Sequence, residues 1–166
     1  LFGEYLYTDV LNGTFRVNKS ALITKSNIQC GNGWFHAIDH VLVPPPLSLA
    51  ETVGATADYS IFTEALRATG FYDTLYFERG EQVAAEKRFQ TVIVESNAVF
   101  AAQGINTFAE LQDKYSQTGN PKNPADSLWL YVAYHISNSG SFLQDIVAAS
   151  SIYTLAPKEI ISTKLS

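Results

Sequence analysis

The sequence predicts an α+β protein, with strands towards both ends of the chain and short helices between them. Two β-prone runs, Thr14–Val17 and Ala21–Ile28, mix apolar and polar residues near the start. Apolar residues at helical spacing begin only after Ser48. Pro44-Pro45-Pro46 separates the two patterns, because proline has no N–H to contribute to a sheet ladder.

The remaining elements follow from turn residues and helix caps. Further strands are predicted at residues 35–43, 91–94, 152–155 and 159–165. One helix is predicted to begin at Asp58 and to end at Gly70, and others follow the capping residues Ser96 and Thr107. Thr107 and Glu110 have the spacing of a reciprocal capping box. A last helix carries apolar and aromatic residues between Leu128 and His135.

Composition excludes several classes of protein. The chain is 46% hydrophobic and 16% charged, which is typical of a globular protein. Its net charge of −5 comes without any cluster of Lys and Arg, so neither nucleic acid nor an anionic membrane is an expected partner. No apolar run reaches the 18 residues that suggest a membrane-spanning helix. The single Cys30 excludes an intrachain disulfide and a cysteine-based zinc site.

The most specific pattern lies between Gly31 and Pro46. Its matched positions are Asn32, Gly33, His36, Ile38, Asp39, Val41, Leu42, Pro44 and Pro45. This unbroken stretch resembles the second signature box of fasciclin-like domains, in which Asn-Gly, His and Asp precede an apolar run that ends at two prolines. The resemblance implies a fasciclin-like fold, in which short helices pack with a sandwich or wedge of strands.

Three later segments resemble other parts of the same family. Residues Tyr59–Gly70 are similar to the opening helix of a fasciclin-like domain, and Thr91–Phe100 to the first signature box. The first box departs from the family at Val94-Glu95-Ser96, where Ala-Pro-Thr is usual. Tyr134-His135 resembles the Tyr-His pair on a later helix of the family.

These boxes occur in an unusual order. In the family, the first box and the Tyr-His pair precede the second box, whereas here the second box comes first. We therefore expect residues 1–46 to be the closing half of one module, 47–57 a linker, and 58–166 the opening and middle of the next. From this order we interpret the chain as a register-shifted slice of a tandem protein. Because it starts with Leu-Phe-Gly and contains no Met, we do not expect Leu1 to be a native start.

Each of these halves is expected to need the other in order to bury its apolar surface. Each half alone would expose an apolar face and unpaired strand edges, which folded chains avoid. We therefore expect either one composite domain with permuted connectivity or an exchange of halves between neighbouring copies.

The resemblance also implies where a partner binds. Adhesion in animal members involves the Tyr-His pair, here Tyr134 and His135, and an acidic-apolar pair before the second box, here Asn27 and Ile28. The acidic residue is thus missing at position 27. For both places the alternative is that the side chains simply pack.

The histidines and Asp39 are expected to be structural. His36 and His40 lie four apart in a predicted strand, where their side chains would be well over ~10 Å apart, so no metal site is expected. We expect His36 and His135 to be core or semi-buried residues that bond to backbone groups. Asp39 is expected to accept hydrogen bonds from backbone N–H groups of a neighbouring loop.

The sequence therefore favours a non-catalytic adhesion module. It contains no nucleophile elbow, dinucleotide-binding loop, P-loop or zinc-protease motif, and no cofactor is expected. The resemblance implies an extracellular or cell-surface protein, which we expect to be bacterial and lipid-anchored, with an extracellular protein or glycan as partner. The alternative is a carbohydrate-binding or nutrient-capture component at the same surface.

Overall fold

Antiparallel strands and short helices make up the protein, which confirms the α+β class. The structure, a computed structural model, describes residues 6–43, 47–78 and 89–162. The chain divides into two compact units, Leu1–Pro46 and Leu47–Ser166.

The first unit is a meander of four antiparallel strands in the order β1-β2-β3-β4. The strands are β1 Thr8–Leu11, β2 Thr14–Val17, β3 Ala21–Cys30 and β4 Gly33–Ile38. Asn12 and Gly13 join the first two strands with φ angles of 50° and 80°, as a two-residue hairpin turn requires. Across that hairpin, the Arg16 guanidinium bonds both carboxylate oxygens of Asp9, at 2.9 and 2.6 Å.

Strand β4 is shorter than the sequence predicts. It ends at Ile38 instead of continuing to Val43, because the next residue bonds to β3 through its side chain as well as its backbone. Asp39 Oδ1 accepts the N–H of Leu22 at 2.7 Å, and the N–H of Asp39 donates to Leu22 O at 3.1 Å. Residues 41–43 follow without regular structure, and 44–46 lie outside the described residues.

The second unit contains the described helices and two small sheets. Its helices are α1 Leu49–Gly54, α2 Ser60–Thr69, α3 Phe71–Leu75, α4 Asn97–Ala102, α5 Phe108–Tyr115, α6 Ser127–Tyr134 and α7 Leu143–Ala148. Its strands are β5 Thr91–Val92, β6 Ile136–Ser137, β7 Ser151–Tyr153 and β8 Ile160–Ser162, paired antiparallel as β5–β6 and β7–β8.

Residues 47–57, which were expected to be a linker, contain helix α1. Ser48 and Glu51 form a full capping box, in which Glu51 accepts the Ser48 N–H at 2.8 Å and the Ser48 hydroxyl accepts the Glu51 N–H at 3.3 Å. Ala50 and Val53 are buried in the core of the second unit. The apolar spacing after Ser48 therefore produces a packed helix, and the linker assignment is wrong for these residues.

The sequence predicts that Asp58 caps helix α2, but a residue from a distant part of the chain caps it instead. Asp58 lies in a 3-10 turn, Ala57–Tyr59, that precedes the helix. Asn97, the first residue of α4, accepts the N–H of Ile61 at 3.2 Å and donates to Ala57 O at 3.1 Å and to the hydroxyl of Ser60 at 2.9 Å. At the other end, Gly70 has a φ of 85°, which confirms the predicted end of the helix.

The core of the second unit forms where α2, α5 and α6 meet. Its fully buried large side chains come from these helices, from α3 and from β6: Phe62, Leu66, Leu75, Leu111, Leu128, Val132 and Ile136. The small sheets close one end of this core, because Ile136 O accepts the N–H of Leu155, two residues after β7, at 2.8 Å. This arrangement brings the β7–β8 hairpin beside helix α6.

Candidate functional site

The candidate site is built on helix α6, and a buried carboxylate fixes where that helix begins. Asp126 Oδ1 accepts the N–H of Leu128 at 2.9 Å, which caps the helix. Asp126 Oδ2 accepts the Ser116 hydroxyl at 2.9 Å and the N–H and hydroxyl of Thr118 at 3.0 and 2.6 Å. The same side chain therefore joins the start of α6 to the loop that follows α5.

These hydrogen bonds keep Asp126 ionised although it is inaccessible to solvent. Burial by itself raises the pKa of a carboxyl group. The donors from Thr118, Leu128 and Ser116 outweigh that effect and lower the pKa of Asp126 to about 2. Asp126 is thus held as an anion at the positive end of α6, where the aligned peptide dipoles favour it.

The two faces of α6 have different roles. Leu128, Val132 and Ala133 face the core. The opposite face borders an open groove of about 410 Å³ between α6 and the turn that joins β7 to β8. The groove is lined by Leu130, Tyr131, Tyr134, Ala156, Pro157 and Glu159. Its size is that of a small-ligand or side-chain pocket.

A cluster of three polar side chains lies behind one wall of the groove. The Tyr131 hydroxyl donates to Glu95 Oε2, and Glu95 Oε1 lies 3.7 Å from His135 Nε2. His135 Nδ1 lies 2.8 Å from the Tyr131 carbonyl oxygen, so this nitrogen carries a proton and donates. That bond satisfies a carbonyl at the C-terminal end of α6, since the His135 N–H itself bonds Val132 O.

Aromatic contacts hold the same wall in place. The Tyr131 ring stacks on Tyr115 with centroids 4.9 Å apart and lies 4.7 Å from the His135 ring. His135 also meets Phe62 edge-on at 5.4 Å. Because the neighbouring rings and Glu95 fix Tyr131, the groove has a preformed wall.

The electrostatics of the cluster oppose nucleophilic chemistry at Tyr131. Burial first, and then the hydrogen bond to Glu95, raise the pKa of the Tyr131 hydroxyl well above its ordinary value. A tyrosine nucleophile or general base requires the opposite shift, towards phenolate. The cluster therefore positions Tyr131, and its geometry is that of an internal hydrogen-bond network.

The structure separates the roles of the predicted pair Tyr134 and His135. Tyr134 lines the groove, and its hydroxyl lies 3.4 Å from Ile160 O in β8. The His135 side chain is only 11% exposed and faces inward, as expected for a semi-buried histidine. Of this pair, Tyr134 therefore borders the groove, while His135 closes the end of α6.

The other predicted pair, Asn27 and Ile28, lies in the first unit, in β3. Asn27 has a φ of 56° and sits where the pairing of β3 with β4 is irregular, between Lys25 and Ile28. Its N–H donates to His36 Nδ1 at 3.2 Å. His36 is exposed on β4, so the expectation of a core or semi-buried residue is wrong there, although it does bond a backbone group. The β-bulge brings the Asn27 N–H to the ring.

The rest of the second box forms the turn between β3 and β4 and a side-chain hydrogen bond to the backbone of β3. Asn32 lies in the turn between β3 and β4, and Gly33 begins β4 opposite Cys30. Asp39 accepts from Leu22 in strand β3, so its partner is a strand N–H and not a loop N–H. The hydrogen bonds from His40 and then from Leu22 lower the pKa of Asp39. Pro44 and Pro45, which complete the predicted motif, lie outside the described residues.

Sequence reasoning missed three residues that organise the site, namely Asp126, Glu95 and Tyr131. Asp126 lies two positions before an apolar run that begins at Leu128, which is a sequence indication of a helix cap. Tyr131 and His135 are four apart on one helix, a spacing that places them on one face. Glu95 is 36 positions from Tyr131 and gives no local indication. Across the described ranges, no three His, Cys, Asp or Glu side chains are grouped so as to hold a metal ion.

Comparison with known proteins gives distant likenesses among solved structures. No family model matches the sequence, and no curated protein matches it. Among solved structures, the chain is similar to a pair of FAS1 domains from the insect cell adhesion molecule fasciclin I, with 16% sequence identity and a TM-score of 0.46. The similarity covers 95% of this chain and 53% of the other, so the chain spans about half the length of the structure that it matches.

The Asp126 cap makes an acid-sensitive contribution to stability. Because its pKa is lowered in the folded protein, the contribution is fully present above about pH 4 and is lost as the pH falls towards 2. We expect Asp126→Ala to lower the free energy of unfolding by about 2–4 kcal/mol at neutral pH, since buried donors lose a charged acceptor. Urea unfolding of Asp126→Asn between pH 2 and pH 6 should lack this acid-dependent part. Asp113→Asn, at an exposed position of α5, is the matched control, and equal acid dependence in both variants would contradict the assignment.

The Glu95–Tyr131 hydrogen bond is testable with a double-mutant cycle. We expect Glu95→Ala and Tyr131→Phe to show a coupling free energy of roughly 1–2 kcal/mol, as is usual for a hydrogen bond to a charged group away from bulk water. Glu95→Ala combined with Tyr115→Phe provides the control cycle, because the hydroxyl of Tyr115 makes no described hydrogen bond to Glu95. Equal coupling in the two cycles would show that the bond does not hold Tyr131.

Proposed function

We propose that this protein is a non-catalytic interaction module of the fasciclin type that acts at a cell surface or in secreted form. The groove beside Tyr134 carries the proposal. The resemblance of the sequence to the family's Tyr-His pair implies binding at Tyr134, and in the structure that residue borders an open groove with a preformed wall.

The organisation of the site supports binding over catalysis. The three titratable groups of the polar cluster beside the groove, Tyr131, His135 and Glu95, are engaged with one another or with the backbone. Tyr131 is held in its neutral form. What the groove offers to solvent is mainly apolar and aromatic surface, which favours contact with a partner.

Location and origin are further parts of the proposal and rest on the resemblance. We propose an extracellular or surface location, a bacterial source, and a lipid anchor outside this sequence in a protein with tandem modules. None of the described helices has the length and apolar character needed to cross a bilayer.

A carbohydrate-binding or nutrient-capture component is the second candidate. Two tyrosines border the groove, and aromatic rings are surfaces on which sugar rings can stack. Sugars also require several hydrogen-bond partners, however, and both tyrosine hydroxyls already face acceptors within the protein. The groove therefore suits a protein partner better than a glycan.

We expect the protein to bind to immobilised extracellular-matrix proteins and Tyr134→Ala to weaken that binding at least tenfold, because interface tyrosines often contribute more than 1.4 kcal/mol. Binding is measured by surface plasmon resonance on a matrix panel, alongside a glycan array. Tyr153→Ala is the matched control, because Tyr153 is 75% exposed on β7 and does not line the groove. Tyr134→Phe, which keeps the ring, should retain most of the binding.

Two results would count against this function. Equal losses in Tyr134→Ala and Tyr153→Ala would exclude the groove as the contact. Micromolar binding to a sugar, with no binding to the matrix panel, would favour the carbohydrate-binding candidate. Thermal unfolding of each variant by circular dichroism separates lost binding from lost folding.

Exchange of halves between copies remains a proposal for the first unit. Its described part exposes large apolar side chains on the sheet, including Val10, Phe15 and Trp34, which are 58%, 59% and 62% accessible. Such apolar exposure is typical of a surface that binds a partner. If a second copy is that partner, sedimentation velocity should show a dimer at tens of micromolar protein, and Phe15→Lys should dissociate it. A monomer throughout this range would rule out the exchange.

A further inference from the structure

The groove beside α6 offers an unusual set of chemical groups. Glu159 is an exposed residue that lines the groove, and the described part of the chain supplies neither a hydrogen bond nor an ion pair to its carboxylate. The hydroxyl of Tyr131 is committed to Glu95, and that of Tyr134 faces Ile160 O. What remains for a ligand is aromatic and aliphatic surface with one negative charge at its edge.

The overall charge of this part of the chain has the same sign. Residues 47–166 contain 13 acidic and 8 basic residues, whereas residues 1–46 contain three of each. The whole net charge of −5 therefore belongs to the second unit, in which the groove lies. Among the described residues, no Lys or Arg lines the groove, and the nearest in sequence to a lining residue is the exposed Lys158 beside Glu159. A field of this kind attracts a basic partner and repels an anionic one.

We propose that the groove binds an arginine side chain presented by an extended segment of a partner protein. This inference rests on the proposed function and specifies its ligand. The aliphatic stem of arginine covers apolar surface while its head group stays at the rim. Its planar guanidinium stacks on aromatic rings such as that of Tyr134 and pairs with a carboxylate such as that of Glu159. A sugar would find few free polar partners here, and a phosphate or sulfate would face Glu159.

Two peptides that differ only in charge test this inference. The probes are acetyl-Gly-Arg-Gly-amide and the same peptide with citrulline, the neutral isostere of arginine. Each is titrated into the ¹⁵N-labelled full chain, and backbone amide shifts are followed. We expect saturable shifts around Tyr131, Tyr134 and Glu159 with the arginine peptide, and about fivefold weaker binding of the citrulline peptide, since a partly exposed ion pair contributes on that scale.

Two charge-removing variants test whether Glu159 is the carboxylate that pairs with the arginine. Glu159→Gln should weaken the arginine peptide about fivefold, whereas Glu64→Gln, at an exposed position of α2, removes an equal charge elsewhere and should leave the affinity unchanged. Equal affinities for the two peptides, saturation at another surface, or no effect of Glu159→Gln would overturn the inference. If the peptides fail while Tyr134→Ala still abolishes binding to the matrix panel, the proposed function stands and only the arginine ligand is wrong. If Tyr134→Ala has no effect there either, both proposals fall.

Discussion

The hydrogen bonds to Asp126 fix the start of helix α6, and much of the second unit depends on where that helix lies. Three of its residues are buried in the core, and its other face borders the groove. An isolated helix of eight residues is unstable in water, because nucleation is unfavourable and few bonds follow it. A buried anion with four donors therefore supplies order that the helix sequence alone does not.

The same helix connects the core with the proposed binding groove. Tyr131 and Tyr134 both line the groove, and Tyr131 also joins His135 in a network with Glu95. Internal contacts already hold the wall, and a preformed wall lowers the conformational entropy that the proposed binding would cost. The groove thus owes its shape to hydrogen bonds and ring contacts within the protein.

Local patterns in the sequence predicted most of the elements, because caps, turns and apolar spacing act over a few residues. Gly70, Ser96 and Thr107 mark helix ends that the structure confirms. The capping box at Thr107 is only half formed, since Glu110 bonds the N–H of Asn106 instead of Thr107. The elements β1, β6, α3 and α7, all of six residues or fewer, were not predicted, because such patterns are weak in short segments.

Contacts between distant residues were not predictable in this way. Asp58 has the residue type and position of a cap, yet Asn97 supplies the bonds, because packing brings α4 against the start of α2. Of the candidate site, Tyr134 and His135 came from a family resemblance, and their separate roles came only from the structure. The groove itself needs the β7–β8 turn beside α6, a placement that no short segment encodes.

The bonds of Asn97 have a consequence for how this chain tolerates change. They join positions that are 36 to 40 residues apart, so the start of α2 is registered against α4 directly and not through the chain between them. A substitution at Asn97 therefore acts on two helices at once, because it removes the hydrogen bonds at the start of α2 together with the first side chain of α4.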